Sequence, residues 1–295
     1  MKVLFSIIIP HKKCPDLLNR CVSSIPIRED TEVIIVDDNS GLNHKDFQFI
    51  DSYRQCHIYF LEESKGAGYA RNYAMRKANG TWFLFADADD YFDTKNLGIL
   101  LDNYKSEKSV DIVYLNANKV NEEGVCAPIN VSHIIENFQK RKSLKTELDL
   151  RYAMWSPWSR MVRRKLVVDN NISFEEIPIG NDTMFSLLCS SLSTNIDVFD
   201  RVIYYYFKPQ NGSYTKRLYN DENIKGQLEL ALRVNSLYDK VGYKYKRTFL
   251  PFIISALIDK SIDRKNRISM LMKFYKIHNI SFLSDLFNYI KFKLK

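Results

Sequence analysis

Short continuous apolar runs alternate with amphipathic stretches through the first third of the chain. Residues 3–9 (VLFSIII) and 32–36 (EVIIV) are apolar almost throughout and of strand length, the pattern of a sheet covered on both faces. Between them Leu17, Leu18, Cys21, Val22 and Ile25 recur at helical spacing. HIYFL at 57–61 predicts a third strand, 67–79 a helix with Ala and Met inward, and 81–86 a fourth strand. This alternation predicts a parallel α/β sheet to about residue 115. From there to about 155 the pattern is polar and weakly periodic and predicts no firm boundaries. Helices near 163–170 and 182–192, strands near 196–199 and 202–207, and helices from about 221 to the end complete the reading.

At 295 residues and 45% hydrophobic content, the chain can bury one large core or two smaller ones, which excludes a disordered or fibrous protein. The net charge of +8 is uneven: residues 260–295 hold nine Lys or Arg against two Asp, so the basicity belongs to that tail. There Phe282, Leu283, Leu286, Phe287, Ile290 and Leu294 gather on one helical face, with Asp285, Asn288, Lys291 and Lys295 elsewhere. Two readings fit: docking on the anionic inner face of the cytoplasmic membrane, or a terminal helix packed on the preceding domain. No stretch approaches the roughly 20 apolar residues that span a bilayer. The run in MKVLFSIIIP is too short for a signal peptide, ends at a proline, and reads as the first strand. Cys14, Cys21, Cys56, Cys126 and Cys189 are scattered, odd in number and without a CxxC pair, so neither a disulfide framework nor a zinc site is suggested. A cytoplasmic location is the simplest expectation.

In a doubly wound sheet, ligands bind outside the carboxyl ends of the strands. Three polar motifs fall there: Pro10-His11 after the first strand, Asp37-Asp38-Asn39-Ser40 after the second, and Asp87, Asp89 and Asp90 after the fourth. A strand puts Asp87 and Asp89 on the same side of the pleat, where their oxygens could converge on one divalent cation. No GxGxxG follows the first strand and no GxxxxGK[ST] occurs, which excludes the common dinucleotide and P-loop signatures. DADDYFD is not a calcium loop, because Phe92 stands where the sharp turn needs Gly and no Glu follows at the twelfth position. Plainer roles exist for each residue: an Asx turn for Asp37 and Asn39, a solvated helix start for Lys65, a cap for Asp93 or Thr94, and an N-cap for Asp182.

The segments SIIIPHKKCPDLLNRCVSSI, EVIIVDDNS and KGAGYARNYAMRKANGTWFLFADADD together resemble the N-terminal half of family two glycosyltransferases of the GT-A fold. SPWSRMVRRKLVVDNNISFEEIPIGNDTMFSLL and VIYYYFKPQNGSYTKR extend the resemblance to residues 4–217. It implies a GT-A-like, nucleotide-sugar-binding α/β domain over 1–217, with a donor half to about 115 and an acceptor half after it, then a helical C-terminal region over 218–295. By resemblance, Pro10, Asp37, Asp38, Lys65, Arg71, Asp87 and Lys208 bind the donor, with Asp38 accepting from a uracil N–H, which suits an acceptor-only carboxylate. Gly66 and Gly68 would let backbone approach the donor phosphates closely. Asp89, with Asp87, would hold manganese or magnesium. Asp182 matches the base of inverting members, with Asn181 replacing the usual Glu. The chain also departs from the family at His11-Lys12-Lys13, where an aromatic residue and Asn are common, and at Ser64 in place of Asn. Trp155 and Trp158 are read as core packing, or else as a wall for an acceptor sugar, and Tyr204, Tyr205 and Tyr206 as alternating between core and surface.

The implied activity is inverting transfer of a sugar, uridine diphosphate-linked, to a glycan or lipid-linked hydroxyl in surface polysaccharide synthesis such as capsule or O-antigen. No nucleic acid is among the expected partners. A non-catalytic sugar-nucleotide-binding subunit is the alternative, since it would keep the donor motifs. A sugar-1-phosphate nucleotidyltransferase is disfavoured, because PHKKCP lacks the Gly-rich loop expected after the first strand.

Overall fold

The computed structural model describes residues 2–106, 109–208, 221–258 and 264–293. The chain divides into two compact units, residues 1–213 and 214–295. The boundary expected at 217/218 falls outside the described residues.

In the first unit the predicted strands appear as β1 (Phe5–His11), β2 (Thr31–Asp37), β3 (Cys56–Phe60) and β4 (Trp82–Phe85). They are parallel, in the order β3-β2-β1-β4. Every residue of β2 and β4 is buried, as continuous apolar runs demand of a sheet covered on both faces. The helices α1 (Pro15–Ser23) and α2 (Gly66–Lys77) connect these strands in the right places. After β4 come β5 (Tyr91–Phe92) and α3 (Thr94–Asn103), which Asp93 caps by accepting the Asn96 N–H at 2.8 Å.

Beyond residue 103 the sheet is mixed rather than parallel. β8 (Arg160–Arg163) inserts antiparallel between β4 and β6 (Ile112–Val120). β9 (Ile196–Phe207) runs parallel to β6, with an irregular register at Leu115–Ala117, and β5 pairs antiparallel to it. The two strands expected at 196–199 and 202–207 are therefore one, carried across Asp200 and Arg201 by that irregularity. The stretch read as polar and weakly periodic, from about 115 to 155, holds the end of β6, β7 (Cys126–Pro128), α4 (Asn130–Lys140) and α5 (Leu144–Tyr152). α6 (Arg164–Asp169) and α7 (Thr183–Leu192) follow, both near their expected positions.

The second unit contains α8 (Asp221–Lys240), α9 (Leu250–Ile258), α10 (Arg264–Ile277) and α11 (Phe282–Lys293). Its core is separate, built on Ile224, Leu228, Phe249, Leu271 and Phe274. None of the five cysteines forms a disulfide. Among the described residues, no helix is long and apolar enough to cross a membrane.

Candidate active site

Strands β3, β2, β1 and β4 end along one edge, and the loops leaving it carry the polar residues that the sequence singles out. His11 and Asp37 are register partners at the ends of β1 and β2. The Cys14 N–H donates to His11 Nε2 (3.1 Å), which leaves the ring proton on Nδ1 to be donated to Asp37 Oδ1 at 2.7 Å. Asp37 also accepts from the N–H and hydroxyl of Ser40. Burial opposes its ionisation, but these bonds outweigh burial and hold its pKa below the usual carboxylate range.

Asp38 is occupied by the protein itself. Its Oδ1 accepts from the N–H groups of Lys65 (2.7 Å) and Gly66 (3.0 Å), its Oδ2 from the Ser64 hydroxyl (2.8 Å) and the Lys12 ammonium (3.1 Å). It thereby caps the N-terminus of α2 from outside the helix, a role the residue type favours. A nucleobase N–H would have to share or displace the Oδ2 donors. Lys12 also donates to Ser64 Oγ, so two departures from the family pattern are in contact. Pro10 is half-buried in β1, and the Lys65 ammonium faces Glu63 at 3.5 Å and the Tyr69 ring.

Arg71, buried in α2, links distant segments: its guanidinium donates to Asp87 Oδ1 at 2.5 Å and to Asn181 Oδ1 at 2.9 Å, and lies over the Phe174 ring. Its Nε has no hydrogen-bond partner. The glycine expected to admit phosphate, Gly68, admits protein instead. A Cβ there would sit 2.1 Å from the Glu175 carbonyl oxygen, so the 174–181 segment can press onto α2 beside Arg71. Gly66, at φ +85°, has open space around it and supplies the left-handed turn into the helix.

Asp182 follows Asn181 and precedes α7, but its side chain makes no capping bond. Capping therefore does not explain it. Burial raises its pKa, with Arg71 opposing and Asp87 adding to the shift.

The three carboxylates of DADD separate. Asp87 is half-buried against Arg71, Asp89 is exposed, and Asp90 is fully buried. Asp90 accepts from the Tyr204 hydroxyl (2.7 Å) and the Phe207 N–H (2.7 Å), and the Tyr204 oxygen accepts the Asp87 N–H at 2.9 Å. Burial pushes the Asp90 pKa up, and the charges of Asp87 and Asp89 push it further. Asp89's pKa is also raised, first by partial desolvation of its carboxyl and then by the charge of Asp87. Asp87 and Asp89 supply two carboxylates, and among the described residues no group of three His, Cys, Asp or Glu is set to hold a metal. Two carboxylates completed by substrate phosphates are the donor set that magnesium takes up in phosphate-transfer sites, so the pair fits such an ion.

Sequence reasoning missed Arg20. From α1 it lies between the rings of Tyr91 (4.9 Å) and Phe207 (4.5 Å) and donates to the Asp89 carbonyl oxygen at 2.5 Å. Only the fold joins these residues, and an arginine in a helix's last turn carries no mark of it. Trp158 is core: it is buried and stacks on Tyr204 at 5.0 Å, while Trp155 donates to the Tyr152 carbonyl. Lys208 is exposed, its backbone N–H bonded to the Val120 carbonyl at 2.9 Å. The NGSYTKR stretch after it lies outside the described residues.

The family model described as Glycosyl transferase family 2 matches residues 6–169. The poly(ribitol-phosphate) beta-N-acetylglucosaminyltransferase TarS of Staphylococcus aureus is 27% identical over 227 residues, covering 73% of this chain and 37% of that protein. Among solved structures, S. aureus TarS 1–349 in complex with UDP-GlcNAc matches with a TM-score of 0.59 at 23% identity, over 93% of this chain and 71% of that one. The mannosyltransferase PcManGT from Pyrobaculum calidifontis, in complex with GDP-Man and Mn2+, matches with a TM-score of 0.58 at 15% identity, over 79% and 65% of the two chains. The shared fold is the GT-A type, a curled α/β sheet with flanking helices, here followed by C-terminal helices.

Proposed function

The chain belongs to glycosyl transferase family 2, and from that premise we propose that it moves a sugar from a nucleotide-sugar donor to a hydroxyl of a glycan or lipid-linked acceptor in polysaccharide synthesis, with inversion. The observation that carries this reading is the Arg71 bridge, which ties the donor-side carboxylate Asp87 to Asn181, the neighbour of Asp182.

In this mechanism Asp182 takes the acceptor hydroxyl proton as the oxygen attacks the anomeric carbon, and the nucleoside diphosphate departs from the opposite face. A carboxyl pKa raised by burial suits a base, because the carboxylate then gains more from protonation. Arg71, with an unpaired Nε, offers cationic donors to the diphosphate, and Lys208 a second cation. Asp87 and Asp89 would hold manganese or magnesium, which when bound neutralises charge on the leaving diphosphate. Asp38, with Lys12 beside it, offers an acceptor and a donor side by side, matching the N–H and carbonyl of a uracil edge.

The test is a panel of uridine- and guanosine-diphosphate sugars, with manganese or with chelator, read for binding and for nucleoside diphosphate release. Metal-dependent binding of one donor with release on acceptor addition is the expected result. Absence of binding by any nucleotide sugar in the presence of metal sinks the reading, and binding without turnover would make the chain a non-catalytic subunit.

A further inference from the structure

Among the described residues, α10 and α11 present an apolar, basic surface whose one acid, Asp285, is buried. α11 is fastened by its polar side: the buried Asp285 carboxylate accepts the N–H groups of Phe249 (3.0 Å) and Leu250 (2.8 Å) and the Tyr275 hydroxyl (2.6 Å). It thus caps α9 from another helix, and the Tyr275 pKa rises through burial and the neighbouring carboxylate. Asp285, expected from the sequence off the apolar face, is therefore the anchor, and the anchoring turns the apolar side of α11 outward. Leu283 is 76% exposed and Phe287 66%, with Ile290 beside them, while Leu286 is half-buried. Leu294, the last member of the expected stripe, lies outside the described residues.

α10 extends the same chemistry. Met272 and Ile277 are exposed, and so are Lys265, Lys273 and Lys276 on the same arc of the helix. From 264 to 295 the chain has eight Lys or Arg and one acid, Asp285, which is spent inside. A second copy of this face would set lysines against lysines with no carboxylate to pair them, so self-association is electrostatically disfavoured. Exposed apolar side chains able to enter an acyl boundary, with lysines on the preceding helix able to meet headgroups, fit a surface that is both anionic and oily.

We infer that the exposed faces of α10 and α11 dock the protein on an anionic lipid bilayer. The inference stands apart from the sugar-transfer reading, since the assay contains no donor and the two can fail separately. Full-length protein is floated with vesicles of phosphatidylcholine alone or mixed with phosphatidylglycerol, at low and high salt. Binding to the anionic vesicles, weakened by salt, is expected. It should fall roughly tenfold or more in Lys273→Glu/Lys276→Glu and also in Leu283→Glu/Phe287→Glu. These positions are exposed, and an unchanged melting temperature confirms that both variants fold. Equal binding to both vesicle types, or none to either, overturns the inference. So does a dimer in light scattering that Leu283→Glu/Phe287→Glu dissolves, because the face would then belong to a second copy.

Discussion

Asp182 is the residue on which the proposed chemistry can fail most cleanly, because its two readings predict opposite things. A capping aspartate lost to Asn leaves activity near normal, whereas a general base lost to Asn lowers turnover by about 10²- to 10⁴-fold. Its folded pKa is raised, so its contribution to stability is full below the unfolded pKa and lost as pH rises through the folded one. At pH 7 the charged form is a cost, and Asp182→Asn is expected to lose turnover with no fall in melting temperature. The wild-type rate should decline on the acid side around a midpoint above the ordinary aspartate value of about 3.9; a profile flat down to that value would refute the assignment. Around Asp38, Lys12 and Ser64 touch each other and the same Oδ2. The Lys12→Ala and Ser64→Ala effects on nucleotide affinity should therefore be non-additive by about 0.5–3 kcal/mol in a double-mutant cycle. Additive effects would show that they do not act as one unit. The sequence places the three carboxylates after β4 but expects Asp87 and Asp89 to share one side of a strand, whereas β4 ends at Phe85 and residues 87–90 form a turn closed by the Asp90 N–H on the Asp87 carbonyl at 3.1 Å. What Asp90 meets is not legible, because its partner Tyr204 is 114 residues away.

Elements were readable where an apolar run is continuous, as in β1, β2 and β4, or where helical spacing is clear, as in α1, and unreadable where neither pattern holds. In α4, Val131, Ile134 and Ile135 do recur at helical spacing, but over a helix that follows directly on a strand and whose N-cap residue is Ile129, which makes no side-chain cap. β6 begins apolar and ends in Asn116, Asn118 and Lys119 as it passes from the buried centre toward β7, so no single period describes it. β9 hides its junction with the site in YYYF, where one tyrosine faces Asp90 and its neighbour Tyr205 stacks on Tyr91. That junction is testable. Tyr204→Phe keeps the ring and its stack on Trp158 but removes the oxygen that serves both Asp90 and the Asp87 N–H. Leaving those groups unpaired should cost about 1–3 kcal/mol in urea unfolding. Because the same oxygen holds the backbone N–H of Asp87 and the carboxylate of Asp90, which flank the two proposed metal ligands, the manganese concentration giving half-maximal diphosphate release should rise as well. Unchanged stability and metal dependence together would show that β9 does not support the carboxylate loop.

At the scale of the whole molecule, two cores of unequal size imply two unfolding events. The first unit buries a nine-stranded sheet among its described residues, whereas the second, of about 80 residues, rests on a small cluster around Leu228, Phe249, Leu271 and Phe274. Buried fraction rises with size, so the smaller unit holds the narrower margin and should melt first. Calorimetry of the full chain is expected to give two transitions rather than one. A nucleotide-sugar donor with manganese binds the proposed site in the first unit and stabilises only the state that binds it, so it should raise the upper transition and leave the lower one in place. Asp285→Asn should do the reverse. It weakens the acceptor that Phe249, Leu250 and Tyr275 share, and it lowers the first transition without moving the second. The pairing of perturbations is what makes the result decisive, because a single transition shifted by both would mean that the units unfold as one cooperative body. Two transitions answering separately would instead make the donor site a property of the sheet, with the basic helices free to serve a surface of their own.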